Sequence, residues 1–403
     1  MTIFFMRFID DVLGMFICRV LGQMVMIKGF FLPSKRTIDP QKVKTILCQK
    51  YFGMGSVLHT TSLIKGLRQH YPNARIIFIT LKSHSDIVRI CKLADEVLVL
   101  QVDSLGKFIK GMLVNLVYIM RQRVDISIDL EFFSKFTMII SLLSMAKIRL
   151  GLHQKRIRPE GIITHNIYYN HYKHISDIFF AFATCLEIER KPEYFTSLLP
   201  SLKDMHKESL EKNLGIKQDM PIIVIDVNAS ELFKFRKWPA DSFVELIQLL
   251  IDKYPDYYYV MIGGNSECEY VENVAKKIKY SGHQLINCAG MTSIEELLAL
   301  IEMSYLIITN DSGPLHIAAL YGTRIVAFFG PETPLVYGPQ KDNTLTFYSK
   351  DLYCSPCLSV YDNKKSLYGE ECIGQECLTS IKPDEVFRKI EYRFLVNKPS
   401  CGV

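Results

Sequence analysis

Short β-branched runs alternate with longer stretches of helical periodicity along most of the chain. From Val43 onward, 43-VKTILCQ-49, 75-RIIFIT-80, 96-EVLVL-100 and 124-VDISIDL-130 read as strands with helices between them. The alternation breaks at 196-TSLLPSLKDMHKESLEKNLGIKQDMP-221, where the chain turns polar and is punctuated by prolines. It then restarts with 222-IIVIDV-227, 257-YYYVMIG-263, 284-QLINC-288, 305-YLIIT-309 and 324-RIVAFFG-330, with helices expected from Pro239 and Thr292. Strands alternating with helices imply parallel sheets covered on both faces. The pattern predicts an α/β protein of two doubly wound domains facing a cleft, over residues 41–200 and 201–403, preceded by a segment 1–40. A last helix is expected from Pro383 to about Arg393, packing back across the domains.

The leading stretch 3-IFFMRFIDDVLGMFICRVLGQMVMIKGFF-31 is apolar but broken by Arg7, Asp10, Asp11, Arg19 and Lys28. It holds no uninterrupted apolar run of about 18 residues, so a spanning helix is not expected. An amphipathic helix fits, lying on a membrane surface or packed on its own protein; both readings stay open. No short apolar core followed by a small-residue cleavage site is evident, so a secretory signal is not expected.

Composition narrows the class. The chain has 403 residues, of which 49% are hydrophobic and 22% charged, enough to bury large cores. The net charge of +6 is dispersed, which does not favour nucleic acid as a partner but leaves room for an anionic substrate. Most of the 11 cysteines lie singly in apolar runs, as Cys48, Cys91, Cys185 and Cys288 do, the pattern of a reduced, cytoplasmic chain.

Candidate chemistry concentrates in 310-NDSGPLHIAALYGTRIVAFFGPETP-334. An apolar strand ends at Thr309, Asn310 to Gly313 form a turn, and Pro314 suits the first turn of a helix. Free amides and the positive dipole end of that helix make a place for phosphate, which Gly313 leaves open to close approach and His316 could bond. The same residues also suit an ordinary cap and turn.

This run resembles the signature of glycosyltransferase family 9, the heptosyltransferases of lipopolysaccharide core assembly: D-S-G-P-x-H-x-A-A-x-x-G-x-x-x-V-A-x-F-G-P. Three other segments are similar to the family: 236-RKWPADSFVELIQLL-250, 262-IGGNSECEYVENVA-275 and 128-IDLEFFSKFTMIISLLSMAKIRLGL-152. The resemblance implies a GT-B fold with the acceptor on the N-terminal half and a nucleotide-sugar donor, ADP-heptose as a rule, on the C-terminal half. It implies inverting, metal-independent transfer of a sugar to a lipopolysaccharide-core-like or other glycolipid acceptor, with no cofactor required. The location implied is the cytoplasm, at the inner face of the cytoplasmic membrane. Carried over by residue, Asp311, Ser312, Gly313 and His316 would hold the diphosphate and Arg236 and Lys237 would neutralise it. Glu267 or Glu269 would approach the nucleoside.

The first strand–helix loop, 53-GMGSVLHTTSLIKGLRQHYPNA-74, departs from the family. Heptosyltransferases carry an aspartate there as general base, whereas this chain has Ser56, whose hydroxyl has no useful basicity near neutral pH. Gly53, Gly55 and Ser56 still suit close approach of the acceptor. The base then falls to Glu131, near Asp129 at the end of a neighbouring strand, or to His59. Otherwise the chain is a non-catalytic nucleotide-sugar-binding protein, or a sugar-nucleotide epimerase of the same fold. A dehydrogenase is disfavoured, since the first loop lacks Gly-x-Gly-x-x-Gly.

Two further clusters stand out. Lys147, Arg149, His153, Lys155, Arg156 and Arg158 could meet the anionic groups of a glycolipid, with Arg156 and Arg158 foremost, or form a solvated loop. The aromatic, polar run 164-THNIYYNHYKH-174 suits either sugar stacking or a helix entry. Cys354, Cys357, Cys372 and Cys377 have a spacing open to structural zinc, to packed thiols or to disulfides.

Overall fold

The structure, a computed structural model, describes residues 10–31, 39–132, 134–153, 161–216, 220–229, 235–280, 282, 284–357, 372 and 374–396. The chain divides between Leu198 and Leu199 into two compact units.

The first unit is built on six strands: β1 (Thr45–Gln49), β2 (Arg75–Leu81), β3 (Glu96–Leu100), β4 (Ile126–Asp129), β5 (Ile148–Leu152) and β6 (His165–Ile167). They pair in parallel in the order β3-β2-β1-β4-β5-β6. Every residue of β1 and β4 is buried, as expected for central strands covered on both faces. Strand order reverses between β1 and β4, so a crevice opens where those two strands end.

The second unit repeats the plan with β7 (Ile222–Asp226), β8 (Tyr258–Met261), β9 (Leu285–Asn287), β10 (Leu306–Asn310), β11 (Arg324–Phe329) and β12 (Thr344–Tyr348). Its order is β12-β11-β10-β7-β8-β9, again all parallel. The reversal lies between β7 and β10. The helix Ala240–Lys253 packs on the core beside the terminal helix Pro383–Ile390, whose Val386 and Ile390 are buried in the same cluster.

Two doubly wound α/β units are thus what the alternation predicts. Three strands escaped the sequence reading. β5 carries Arg149 at its second position, β6 is three residues long, and β12 is an edge strand that buries only Phe347. The run from Thr164 holds the short strand β6 and then, at His174, the cap of the helix Ile175–Cys185, so it is also a helix entry.

The N-terminal segment forms a wide turn, Asp10–Gly14, leading into the helix Met15–Phe31. Asp10 accepts the amides of Lys135 (2.9 Å) and Phe136 (2.7 Å), a carboxylate on the positive end of the helix Lys135–Leu143. A Cβ on Gly14 would lie 3.1 Å from Cβ of Lys135, and the buried Cys18 thiol faces the Lys135 carbonyl at 3.5 Å. Small residues one turn apart therefore let the two helices approach closely. Val12, Leu13, Phe16, Val20 and Met24 point outward and are exposed. Among the described residues, no helix is long and apolar enough to cross a membrane.

Candidate active site

The second unit gathers its polar side chains where β7 and β10 end. Asp226, the last residue of β7, is buried and accepts hydrogen bonds from Ser312 Oγ (2.6 Å), Thr309 Oγ1 (3.1 Å) and the Asn228 amide (3.0 Å). Burial pushes its carboxyl up to about 6, against the pull of the Ser312 hydroxyl. Ser312 stands at the cap position of the helix Gly313–Tyr321, with extended backbone, but its side chain makes no capping bond. Because Asp226 takes the Ser312 hydroxyl, that side chain does not plug the helix end. Pro314 spends no amide there, and the remaining first-turn amides suit an anion.

Asp311 follows β10 and pairs with Arg236, Nη1 to Oδ2 at 2.8 Å, with side-chain exposures of 16% for Arg236 and 5% for Asp311. His316 is buried, its Nε2 4.0 Å from the other Asp311 oxygen. The pair is worth more as a fixture than as a source of stability, since desolvation offsets much of its attraction.

Arg236 is held by its neighbours in sequence. The Trp238 amide donates to Asn310 Oδ1 (2.8 Å), and the Asn310 amide group donates to the Asn228 carbonyl (2.9 Å). The Trp238 ring lies fully buried on Phe328 (4.2 Å between centroids), with Nε1 donating to the Ile381 carbonyl. Lys237 Nζ sits 4.1 Å from the centre of the Tyr270 ring.

Glu267 takes the Gly264 amide (2.7 Å), so one of its oxygens caps the turn into the helix Cys268–Ala275, which carries Glu269 in its first turn. Gly263 is needed for packing: a Cβ there would stand 3.0 Å from both Asn228 Nδ2 and Val271 Cγ2.

Glu332 belongs to this cluster and was not singled out from sequence. It follows the Gly330-Pro331 turn after β11 and is 5% exposed. Its Oε1 accepts the Thr333 amide (3.2 Å), and its Oε2 is buried with no hydrogen-bond partner among the described residues. Burial, reinforced by Asp311, pushes its carboxyl up to about 8, with Arg236 pulling the other way. Asp226 was also passed over, although a lone carboxylate closing an apolar run was a visible signal.

In the first unit the expected bases fall at the ends of β1 and β4. Glu131 has no accessible surface, and its Oε1 receives Lys50 Nζ (2.9 Å) and the amides of Tyr51 and Phe52 (3.0 Å for the latter). The carboxylate therefore clasps the loop that leads from β1 to Gly53. His84 nearby is pushed down to about 4 by burial, with Lys50 adding to the effect. Asp129, buried as well, accepts from the Glu131 amide (3.1 Å) and Thr137 Oγ1 (2.8 Å).

Gly53, with φ of +84°, starts the short helix Met54–Leu58 that carries Gly55 and Ser56. A side chain at Gly53 would be strained and would stand 3.2 Å from Ser56 Oγ. His59 Nδ1 lies 2.9 Å from Ser176 Oγ, and its ring meets the edge of His174 at 5.0 Å.

The basic cluster is described only in part. Lys155, Arg156 and Arg158 lie outside the described residues. Arg149 donates to the carbonyls of Ile162 and Ala146 (both 2.6 Å), so it ties β5 to its surroundings, and burial lowers its pKa. His153 packs on Tyr168 with ring centres 4.7 Å apart.

Among the described residues, Cys354, Cys357, Cys372 and Cys377 are not joined by disulfides. The zinc reading gains no support, since among the described residues no three His, Cys, Asp or Glu are placed to hold a metal ion. Burial, then the neighbouring cysteines, push the Cys377 thiol up to about 12.

The sequence profile of glycosyltransferase family 9 (heptosyltransferase) matches residues 119–367. Lipopolysaccharide heptosyltransferase 3 of Escherichia coli is 26% identical over 329 residues, 78% of this chain and 90% of that protein. Lipooligosaccharide heptosyltransferase 2 of Campylobacter jejuni is 25% identical over 207 residues, 49% of this chain. In that match the chain spans only 61% of the relative's own length. The solved structure of E. coli ADP-heptose LPS heptosyltransferase II superposes with a TM-score of 0.67 at 19% identity, covering 88% of this chain and all of the other. Its fold, GT-B, is the fold of this chain.

Proposed function

The chain belongs to glycosyltransferase family 9, and on that premise we propose that it transfers heptose from ADP-heptose to a lipopolysaccharide-core-like glycolipid. The observation that carries this reading is the helix end at Gly313, left uncapped by Ser312 and flanked by the fixed cation of Arg236. The names of the relatives, both heptosyltransferases of lipopolysaccharide or lipooligosaccharide, support the sugar and the acceptor class.

In this reading the second unit binds the donor. The diphosphate lies on the first-turn amides, with Arg236 and Lys237 supplying positive charge, Asp311 orienting Arg236, and His316 beside them. Glu267 or Glu269 contacts the nucleoside. An acceptor hydroxyl attacks the anomeric carbon on the face opposite the diphosphate. As the new C–O bond forms, the bond to the diphosphate breaks, ADP leaves with the electron pair, and the configuration inverts. Negative charge grows on the departing phosphate oxygen, where amides and guanidinium already point, so they stabilise the transition state more than the ground state. No metal ion is required by this scheme.

The first unit binds the acceptor near Gly55 and Ser56, and Glu131 takes the hydroxyl proton. It is preferred over His59 on the resemblance of 129-DLE-131 to the family, since both groups already have partners: Glu131 Oε1 with Lys50, and His59 Nδ1 with Ser176. Arg156 and Arg158 contribute acceptor contacts. The enzyme works in the cytoplasm on the inner face of the membrane, to which the exposed apolar face of residues 12–24 attaches it.

Transfer of heptose from ADP-heptose, followed by the anomeric configuration of the product, tests the proposal. Glu131→Gln is expected to lower kcat by about a hundredfold or more while ADP affinity persists. A Gln variant with the wild-type rate removes Glu131 as the base. A wild type that binds ADP-heptose yet releases no ADP with any glycolipid acceptor points instead to a binding protein.

A further inference from the structure

We propose that Glu332 is a donor-binding residue, its buried carboxyl oxygen beside Asp311, unpartnered among the described residues, hydrogen-bonding to an oxygen of the donor diphosphate. This rests on the assignment of the second unit to the nucleotide sugar.

Geometry carries the inference. Glu332 Oε2 is buried and has no hydrogen-bond partner among the described residues, whereas Oε1 is engaged by the Thr333 amide. Buried polar atoms nearly always find a partner, so an orphan beside an open helix end marks a place completed by a ligand. The nearest carboxylate cannot be a cost-free neighbour in ionised form. Asp311 is committed to Arg236, and a second negative charge would leave one guanidinium facing two carboxylates and a diphosphate. A neutral carboxyl removes that conflict and offers an O–H, which requires an acceptor. Phosphate oxygens of the donor supply it.

The charged and titratable groups around Glu332 come from each element packed there. They are Asp311 after β10, Arg236 on the loop before Trp238, Tyr348 on β12 and Cys377 on the helix Glu376–Thr379, with His316 beyond Asp311. Burial moves Tyr348 and Cys377 upward, away from neutrality. Glu332, pushed up to about 8, ionises in the mildly alkaline range.

ADP is therefore expected to bind less well as pH rises through that range. If only the acid form binds, affinity falls by about 20-fold between about pH 7.5 and 9.5, in proportion to the competent fraction. Calorimetric titration of ADP into wild type, Glu332→Gln and Glu332→Ala over that range is the test. The Gln variant, whose amide donates at every pH, is expected to show a flat profile. The Ala variant is expected to be flat and about tenfold weaker than wild type at the lower pH. A flat wild-type profile, or a Gln variant that falls as steeply as wild type, overturns the proposal and leaves the donor assignment standing. A wild type that binds no ADP at any pH overturns both.

Discussion

Arg236 shows what a single residue contributes here. Its guanidinium reaches Asp311 from a segment pinned by Trp238, so in the proposed reading it would meet the diphosphate already oriented. Lysine keeps the charge but loses the planar fork. Arg236→Lys is expected to weaken ADP binding by about tenfold at constant fold, read by calorimetry with the thermal midpoint as control; an affinity equal to wild type would show that charge alone suffices. At this scale the sequence was legible where the type of residue declares its use. The basic pair before Trp-Pro and the Asp-Ser-Gly turn are brought together by the ion pair of Arg236 with Asp311. Glu332 was not legible, because a carboxylate after Gly-Pro looks like an exposed turn. Its surroundings come from distant chain, since Asp311 and Arg236 lie beside it only in the folded second unit. Glu131 was legible as a strand-end carboxylate, but its ion pair with Lys50 was not, since the two residues sit on different strand ends.

Elements are joined at the site by Asn310. From the end of β10 it accepts the Trp238 amide and donates to the carbonyl of Asn228, beyond β7. Asn310→Ala strips a partner from two buried backbone groups. It is expected to cost about 1–3 kcal/mol, seen as a lower thermal midpoint, and to raise the KM for donor as the Arg236 segment loosens. A midpoint and KM like those of wild type would show that Trp238 packing alone holds the segment. The central strands were read correctly because burial on both faces keeps them rich in apolar, β-branched residues. β5, β6 and β12 were hidden for the opposite reason, as partial exposure and short length dilute the apolar signal.

At the scale of the molecule, the first unit carries two outward apolar faces. One lies on the N-terminal segment, from Val12 to Met24, and the other on the helix Leu105–Arg121 at Leu105, Ile109, Leu113, Val117 and Met120. Lys107 and Lys110 stand on the second helix, and the whole chain carries a net charge of +6. The two readings of the N-terminal helix are therefore compatible, since one face packs on the helix Lys135–Leu143 and the other is left outside. Sedimentation with anionic vesicles tests the membrane role. Phe16→Glu is expected to reduce the bound fraction several-fold without changing the thermal midpoint, while equal binding by the variant would remove that face from the interaction.

The order of strands also bears on synthesis. Ser312 and Asp226 are 86 residues apart in the chain, yet they meet because β7 pairs with β10, not with its successor alone. A ribosome must therefore deliver more than half of the second unit before the two can touch. A nascent chain halted after β9 would hold Arg236 and Lys237 with no Asp311 to orient them, so a nucleotide that binds as proposed could not rescue such a fragment.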